Sequence, residues 1–238
     1  MKPVLIIQQA WHDTPDHFLD VLQREQLPYE LRRMDKGEPV PTRASAYAGI
    51  CLLGGPMSAN DGPRLPWIDQ QIALARDAFE SAVPVIGHCL GGQLMAKALG
   101  GSVQASPQPE IGWSRVRVRP EQDSRRWFGD VDELPFFQWH GESFSMPRGA
   151  IWLAETAACP HQAYSVDGLH LGMQFHCEVK AEKLRIWVEQ HHDEIDVCAH
   201  VDSVQHGEQI LAALDAKLAA SQALADRIYQ QWLNGLRA

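Results

Sequence analysis

A cysteine at the apex of a glycine-flanked turn is the group in this chain best equipped to attack a carbonyl. In Val83–Gly101, VPVIGHCLGGQLMAKALGG, a short apolar run, Val83–Ile86, leads into Gly-His-Cys-Leu-Gly and then directly into a helical pattern. Strand, sharp turn and helix in that order make a G-x-nucleophile-x-G elbow with Cys89 in the nucleophile's place. Gly87 and Gly91 flank the apex because a bulky Cβ would clash in so tight a turn. Free N–H groups and the dipole at the start of a helix favour a thiolate, the reactive form of the side chain. The same letters would suit a buried cysteine in a Gly-rich connection, so the remainder of the chain has to decide.

A cysteine nucleophile needs a base, and the base needs an orienting group. Leu169–Val179 reads LHLGMQFHCEV, in which Leu169, Leu171, Met173 and Phe175 recur at a strand period. His176 and Glu178 close this run. Two residues apart on extended chain they point to one side, so Glu178 can hold one imidazole nitrogen while the other faces Cys89. A third element is Ala48–Asp61, AGICLLGGPMSAND, where the apolar strand Ile50–Leu53 ends in Gly54-Gly55-Pro56. A Gly-Gly loop after a strand can bring backbone N–H groups close to a substrate, as an oxyanion hole requires.

These groups must be positioned by alternating strands and helices. Val4–Gln8 reads as strand, Asp16–Glu25 as helix, and Tyr29–Arg33 and Ile50–Leu53 as further strands. Pro66–Ser81 carries a helical stripe at Ile68, Ile72, Ala75 and Phe79. Val103–Glu155 turns to short strands with turn residues, and Gln162–Val166 with Leu169–Gln174 suggests a hairpin around Asp167-Gly168. The expected fold is α/β, a mostly parallel sheet flanked by helices, with the site at the carboxyl ends of the strands. From Ala181 the chain becomes helical, and Gln209–Leu236 fits one amphipathic helix. The expected division is a catalytic domain over residues 1–188 and a C-terminal helical extension over residues 189–238.

GGPMSAND, GHCLGGQ and QFHCEV, in this order and spacing, resemble the class I, triad-type glutamine amidotransferases. EIGW (Glu110–Trp113) and WHGESFSMP (Trp139–Pro147) resemble the stand-alone, GMP-synthetase-like members. The resemblance implies a flavodoxin-like fold, with Cys89 as nucleophile, His176 as general base and acid, and Glu178 as the orienting carboxylate. It implies an oxyanion hole from the backbone N–H groups of Gly55 and Leu90. It places bound glutamine against Gly54, Gln93, His140 and Gly141, and it implies no cofactor and no metal. Two positions depart from the pattern: Cys177 stands where the family usually has proline, and Gly92 where histidine or alanine is usual. Gly92 costs roughly 1 kcal/mol of helix propensity against alanine.

The resemblance implies attack of the Cys89 thiolate on the γ-carboxamide of glutamine or a γ-glutamyl compound, through a γ-glutamyl thioester. Three readings follow. A glutaminase-type amidotransferase would deliver ammonia to a synthase partner in trans, a stand-alone γ-glutamyl peptidase or hydrolase would use water, and a regulatory protein would use the fold without catalysis. The complete triad argues against the third. No phosphate-cradling G-x-x-x-x-G-K-[ST] motif is present, and little chain follows Val179 to house a synthetase.

With 238 residues and 45% hydrophobic composition the chain can bury a sizeable core. A net charge of −9 and the lack of a basic stretch argue against nucleic acid as a partner. The cluster Arg115–Arg119, RVRVR, reads as a strand with one solvated basic face that could favour an anionic acceptor. No apolar run approaches the ~18 residues of a membrane span. The four-residue apolar run in Met1–Gln8 fits a core strand better than a signal peptide. Five cysteines without paired spacing suggest a reducing cytoplasm. A homo-oligomer stays open. His191-His192-Asp193-Glu194 reads as a solvated helix face rather than a metal site, because adjacent histidines on a helix point apart, and His161 and His170 read as non-ligands. Cys177 could block the nucleophile through a disulfide to Cys89, but as the strand neighbour of His176 it should face the other way.

Overall fold

The computed structural model describes residues 1–236. In chain order its elements are β1 (Val4–Gln8), α1 (Asp16–Arg24), β2 (Tyr29–Arg33), β3 (Gly49–Leu52), α2 (Pro66–Glu80), β4 (Val85–His88) and α3 (Leu90–Ala98). There follow β5 (Val103–Trp113), β6 (Val116–Val118), α4 (Gln122–Phe128), β7 (Glu133–Leu134), β8 (Phe137–Phe144), β9 (Ile151–Glu155), β10 (Ala163–Val166) and β11 (His170–Met173). Four helices end the chain: α5 (Ala181–Gln190), α6 (His192–Cys198), α7 (Gly207–Ala212) and α8 (Leu214–Leu233).

The central sheet runs β2-β1-β3-β4-β11-β10-β9-β6-β7. Its β2-β1-β3-β4-β11 half is parallel, the expected α/β core, and antiparallel strands extend it from β10 onward. β1 shows why the central strands are continuously apolar. Val4 and Ile6 face a core built with α1, α4 and α8, whereas Leu5 and Ile7 face one built with α2 and α3. A strand covered on both faces has no side to leave polar. Pro66 at the first turn of α2 removes an N–H that would have had no helical partner. Asp167 and Gly168 both take positive φ (54° and 60°), as a two-residue turn matched to strand twist demands, and β10 and β11 pair across them.

Three features differ from the sequence expectation. Val103–Glu155 holds a long ribbon, β5 against β8, with an irregular register between Ala105 and Glu110. The single helix expected over Gln209–Leu236 is broken at Ala213 into α7 and α8. The basic face of RVRVR is partly compensated within the protein: Arg117 and Arg119 both reach Glu155 on β9, and Arg115 lies 3.6 Å from Glu133. Three guanidiniums thus meet two carboxylates, and Arg115 and Arg117 remain largely exposed, so the solvated basic face persists with part of its charge offset. Of the C-terminal helices, α8 lays Ala225, Ile228, Tyr229 and Trp232 on the sheet core, and α5, α6 and α7 close a third apolar cluster over the β5–β8 ribbon.

Buried histidines set a stability optimum near neutrality. Burial pushes both His88 and His170 down to about 4 from an ordinary value of 6.5. Between those values the unfolded chain takes up protons that the folded chain refuses, so stability falls as pH drops from about 6.5 to about 4. Thermal melts across that range should show the midpoint descending, and an unchanged midpoint would contradict the neutral burial of both rings.

Candidate active site

The turn between β4 and α3 carries the strain an elbow needs. Cys89 has φ 46° and ψ −108°, a conformation that L side chains avoid and that costs about 1–3 kcal/mol. Its surroundings hold it there. A Cβ on Gly87 would meet the Gly91 carbonyl carbon at 2.6 Å, and one on Gly91 would collide with the Leu52 carbonyl oxygen. Gly92 has the same explanation: a Cβ would come within 2.5 Å of the Met173 carbonyl oxygen on β11. Tyr164 also donates to the Gly92 carbonyl at 2.8 Å. The glycine that departs from the usual motif lets α3 press against the neighbouring strand.

Beyond β11 the chain carries His176 and Glu178 to the same place. Phe137 on β8 accepts a hydrogen bond from the His176 backbone N–H at 2.8 Å, which fixes the chain. His176 Nδ1 then lies 2.8 Å from Glu178 Oε1, leaving Nε2 as the ring nitrogen that the carboxylate does not engage. Both residues are buried. Lys183 on α5 approaches Glu178 Oε1 at 3.4 Å and donates to the Thr14 carbonyl at 2.6 Å. Burial opposes charge on His176, but the Glu178 carboxylate, with hydrogen bonds to Cys89 and Glu178, raises it to about 10. Burial likewise opposes charge on Glu178, and the His176 and Lys183 charges still hold it below the usual carboxylate range. The imidazolium–carboxylate form is favoured at neutral pH.

Cys177 points away from the cavity, as strand alternation predicts. Its Sγ lies 3.3 Å from the Tyr229 hydroxyl, and all five cysteines are free. The same hydroxyl lies 3.1 Å from His88 Nε2. One phenol on α8 thus ties the residue before Cys89 to the residue between His176 and Glu178. Tyr229→Phe keeps the ring and leaves His88 and Cys177 without that partner. The expected loss is about 1–3 kcal/mol of unfolding free energy, read from denaturant melts; a variant as stable as wild type would show that the hydroxyl bridges nothing of consequence.

A cavity of about 290 Å³ opens above Cys89. Among the residues singled out by sequence, Cys89, His176, Gly55, Gln93, His140 and Gly141 line it. Gln93 donates to the Glu142 carbonyl at 3.1 Å, joining α3 to the ribbon. Leu90 is the first residue of α3, where its N–H precedes the helical ladder. Gly54 packs beneath Cys89 and His176: a Cβ there would lie 2.6 Å from His176 Cε1 and 3.5 Å from Cys89 Cβ. The segment expected as a solvated face is split. His192 and Asp193 are exposed, but His191 and Glu194 line the cavity. They do so because α6 turns back over the ribbon, and Trp139 Nε1 donates to Glu194 at 3.0 Å.

Sequence reasoning missed Lys183, Trp187, His12 and Asp13. Trp187 stands edge-on to the His176 ring, centroids 4.9 Å apart. Lys183 and Trp187 fall in the buried stripe of α5, so helical periodicity could have found them. His12 and Asp13 follow β1 in a loop whose pattern carries no such signal.

Glu110, His140 and Cys159 are the group of described residues whose ligand atoms lie close enough for a metal, within 4.8 Å of one another. Their chemistry fits a hydrogen-bonded network better. Glu110 Oε2 already meets His140 Nε2 at 3.1 Å and accepts from Gln162 at 2.6 Å. Burial pushes the Cys159 thiol up to about 12, which keeps its proton on.

The family model for Glutamine amidotransferase class-I matches residues 18–187. The chain is 37% identical over 151 residues to the GMP synthase [glutamine-hydrolyzing] of Ectopseudomonas mendocina, covering 59% of this chain and 27% of that protein. It is 35% identical over 145 residues to the enzyme of the same name from Alkalilimnicola ehrlichii, covering 56% and 25%. The chain thus spans about a quarter of the length of these curated relatives. Among solved structures, a glutamine amido transferase from Methylobacillus flagellatus superposes with a TM-score of 0.95 at 42% identity, over 100% of this chain and 96% of that one. A glutamine amidotransferase from Thermotoga maritima gives 0.86 at 26%, over 98% of each chain.

Proposed function

Because the chain belongs to the class I glutamine amidotransferase family, we propose that Cys89, His176 and Glu178 act as its catalytic triad on the γ-carboxamide of glutamine. The observation that carries this reading is a strained, glycine-packed cysteine sharing one cavity with a buried His–Glu pair. Cys89 Sγ attacks the amide carbon as a thiolate, its proton resting on His176, and the carbonyl π electrons move to oxygen. The backbone N–H groups of Gly55 and Leu90 meet that charge, each worth roughly 10²–10³ in rate. As the C–N bond breaks, His176 Nε2 gives its proton to the leaving nitrogen, which departs as ammonia. A γ-glutamyl thioester remains. Neutral His176 then takes a proton from water as the oxygen attacks the thioester, the C–S bond breaks, and glutamate leaves. Glu178 holds the ring and its tautomer throughout.

Gln93, His140 and Gly141 line the same cavity and are assigned to the glutamyl portion of the substrate, with Gly54 packed against His176. The curated relatives are GMP synthases, and ammonia transfer to a synthase partner in trans is the assigned fate of the nitrogen. Helices long and apolar enough to cross a membrane are absent among the described residues.

Two measurements test the reading together. The purified protein is incubated with glutamine while glutamate and ammonia are followed, and a glutamine-mimicking electrophile is mapped by peptide mass. Cys89-directed labelling with equimolar glutamate and ammonia is expected. Absence of both would overturn the triad assignment.

A further inference from the structure

The cavity has two unlike sides. The leaving nitrogen must face His176, because that ring supplies its proton, so a substituent on the nitrogen starts beside His176, where Trp187 packs edge-on to the ring. From there the wall is aromatic and acidic. Trp187 packs edge-on to Trp139 (centroids 5.8 Å), Trp139 to His191 (5.8 Å), and His191 to His12 (5.4 Å). Asp13 and Glu194 stand on the same wall.

Asp13 is the informative residue. It is only 4% exposed, and one oxygen, Oδ1, lies 3.0 Å from His12 Nδ1. The other, Oδ2, has no hydrogen-bond partner among the described residues. That oxygen is itself shut off from solvent, so what the cavity meets is the uncompensated charge of the carboxylate, which favours a nearby cation. Lys183 does not supply it, since its ammonium is engaged by Glu178, Asp16 and the Thr14 carbonyl. That last bond instead fixes the loop carrying Asp13 against the triad. Glu194 is held by Trp139 through Oε2. The described residues lining the cavity include three carboxylates, Asp13, Glu142 and Glu194, and no lysine or arginine. The Trp187 ring already carries the Lys183 ammonium 5.4 Å from its centroid, so the Trp139 indole beside Glu194 is the group that suits an alkylammonium, by cation–π attraction and charge together.

We propose that this wall is a subsite for a cationic leaving amine, and that the chain hydrolyses γ-glutamyl amides whose amine portion carries a second, distal ammonium. The inference rests on the thioester reading above. The reaction consumes water and balances without a further reactant: the γ-glutamyl C–N bond breaks, His176 protonates the departing amine, and water releases glutamate from Cys89. Amides with an anionic tail, such as γ-glutamyl amino acids, meet the same carboxylates and are disfavoured.

The test compares kcat/KM for glutamine, the mono-γ-glutamyl amide of a short terminal diamine, its neutral n-alkyl isostere and its ω-carboxylate counterpart. Wild-type protein should favour the diamine amide over the neutral isostere by about tenfold or more, with the ω-carboxylate amide slowest, and the preference should shrink as salt is raised. Asp13→Asn should bring the ratio toward one, chiefly through KM. The ratio is taken within one variant, so folding yield cancels. If Asp13→Asn does not fold, exposed Glu194→Gln must still lower the ratio. A wild-type ratio of one or less, or a ratio unmoved in both variants, overturns the subsite while leaving glutamine hydrolysis standing. Inertness toward every amide, glutamine included, overturns the thioester reading and this inference with it.

Discussion

Cys89→Ala is expected to abolish release of glutamate from glutamine, a fall of roughly 10⁴-fold or more, while the protein stays folded. Alanine keeps the Cβ, so the strain at φ 46° is unchanged and the glycine packing around the elbow is untouched. What is lost is Sγ, whose recorded contacts are long: 3.5 Å from Gln174 Nε2 and 3.8 Å from the Trp139 carbonyl oxygen. Removing them should shift the thermal midpoint little. The pairing of lost turnover with an unmoved melt is the signature of a nucleophile. Retained turnover at an unmoved melt would mean that the thioester does not form on Cys89.

Glu178→Gln has the second largest expected effect, and it acts on two properties at once. Glutamine can no longer stabilise the imidazolium, and its amide nitrogen can present the wrong partner to Nδ1. The analogous change in serine-protease triads lowers kcat by roughly 10⁴, and a drop of that order with KM nearly unchanged is expected here. Burial, which the Glu178 charge offsets in the wild type, would then lower the His176 pKa. NMR titration of the ring should therefore show its proton leaving at lower pH than in wild type. Stability should fall as well. Lys183 is only 3% exposed and would keep Asp16 at 3.5 Å as its remaining carboxylate. Breaking a buried pair this way costs about 3–5 kcal/mol.

The same couple makes a pH statement about stability. His176 is raised when folded, so its contribution is complete below about 6.5 and is lost as pH rises toward about 10. Glu178 is depressed, so its contribution is present above the ordinary carboxylate range and is lost in acid. Glu178→Gln should remove both limbs together, because each charge is the other's cause.

Much of the catalytic frame is legible in the residues. Gly87, Cys89 and Gly91 declare a sharp strand-to-helix turn, since few backbones need two glycines around one apex. His176 and Glu178 sit two apart, and although the chain bends beyond β11, the pairing of His176 with Phe137 keeps that spacing productive, with Nδ1 2.8 Å from a carboxylate oxygen. The alternation of apolar strands and striped helices describes the parallel half of the sheet. The ribbon was less legible, because Pro107 and Pro109 interrupt the pattern that marks a strand, and irregular pairing absorbs them. The break at Ala213 was illegible for the opposite reason: good helix formers run straight through it.

By itself the sequence determined which side chains could react and the local backbone that presents them, because elbow geometry and strand alternation act over a few residues. The tertiary structure alone decided what surrounds them. Tyr229 reaches His88 across 141 residues of chain, and Lys183 reaches Thr14 across 169. Asp13 and Glu194 meet one cavity from opposite ends of the protein. Periodicity tells which face of an element is apolar, but not which distant loop that face will bring alongside. That depends on how sheet, ribbon and C-terminal helices bury their surfaces together, and here that packing set an acidic, aromatic wall beside the base.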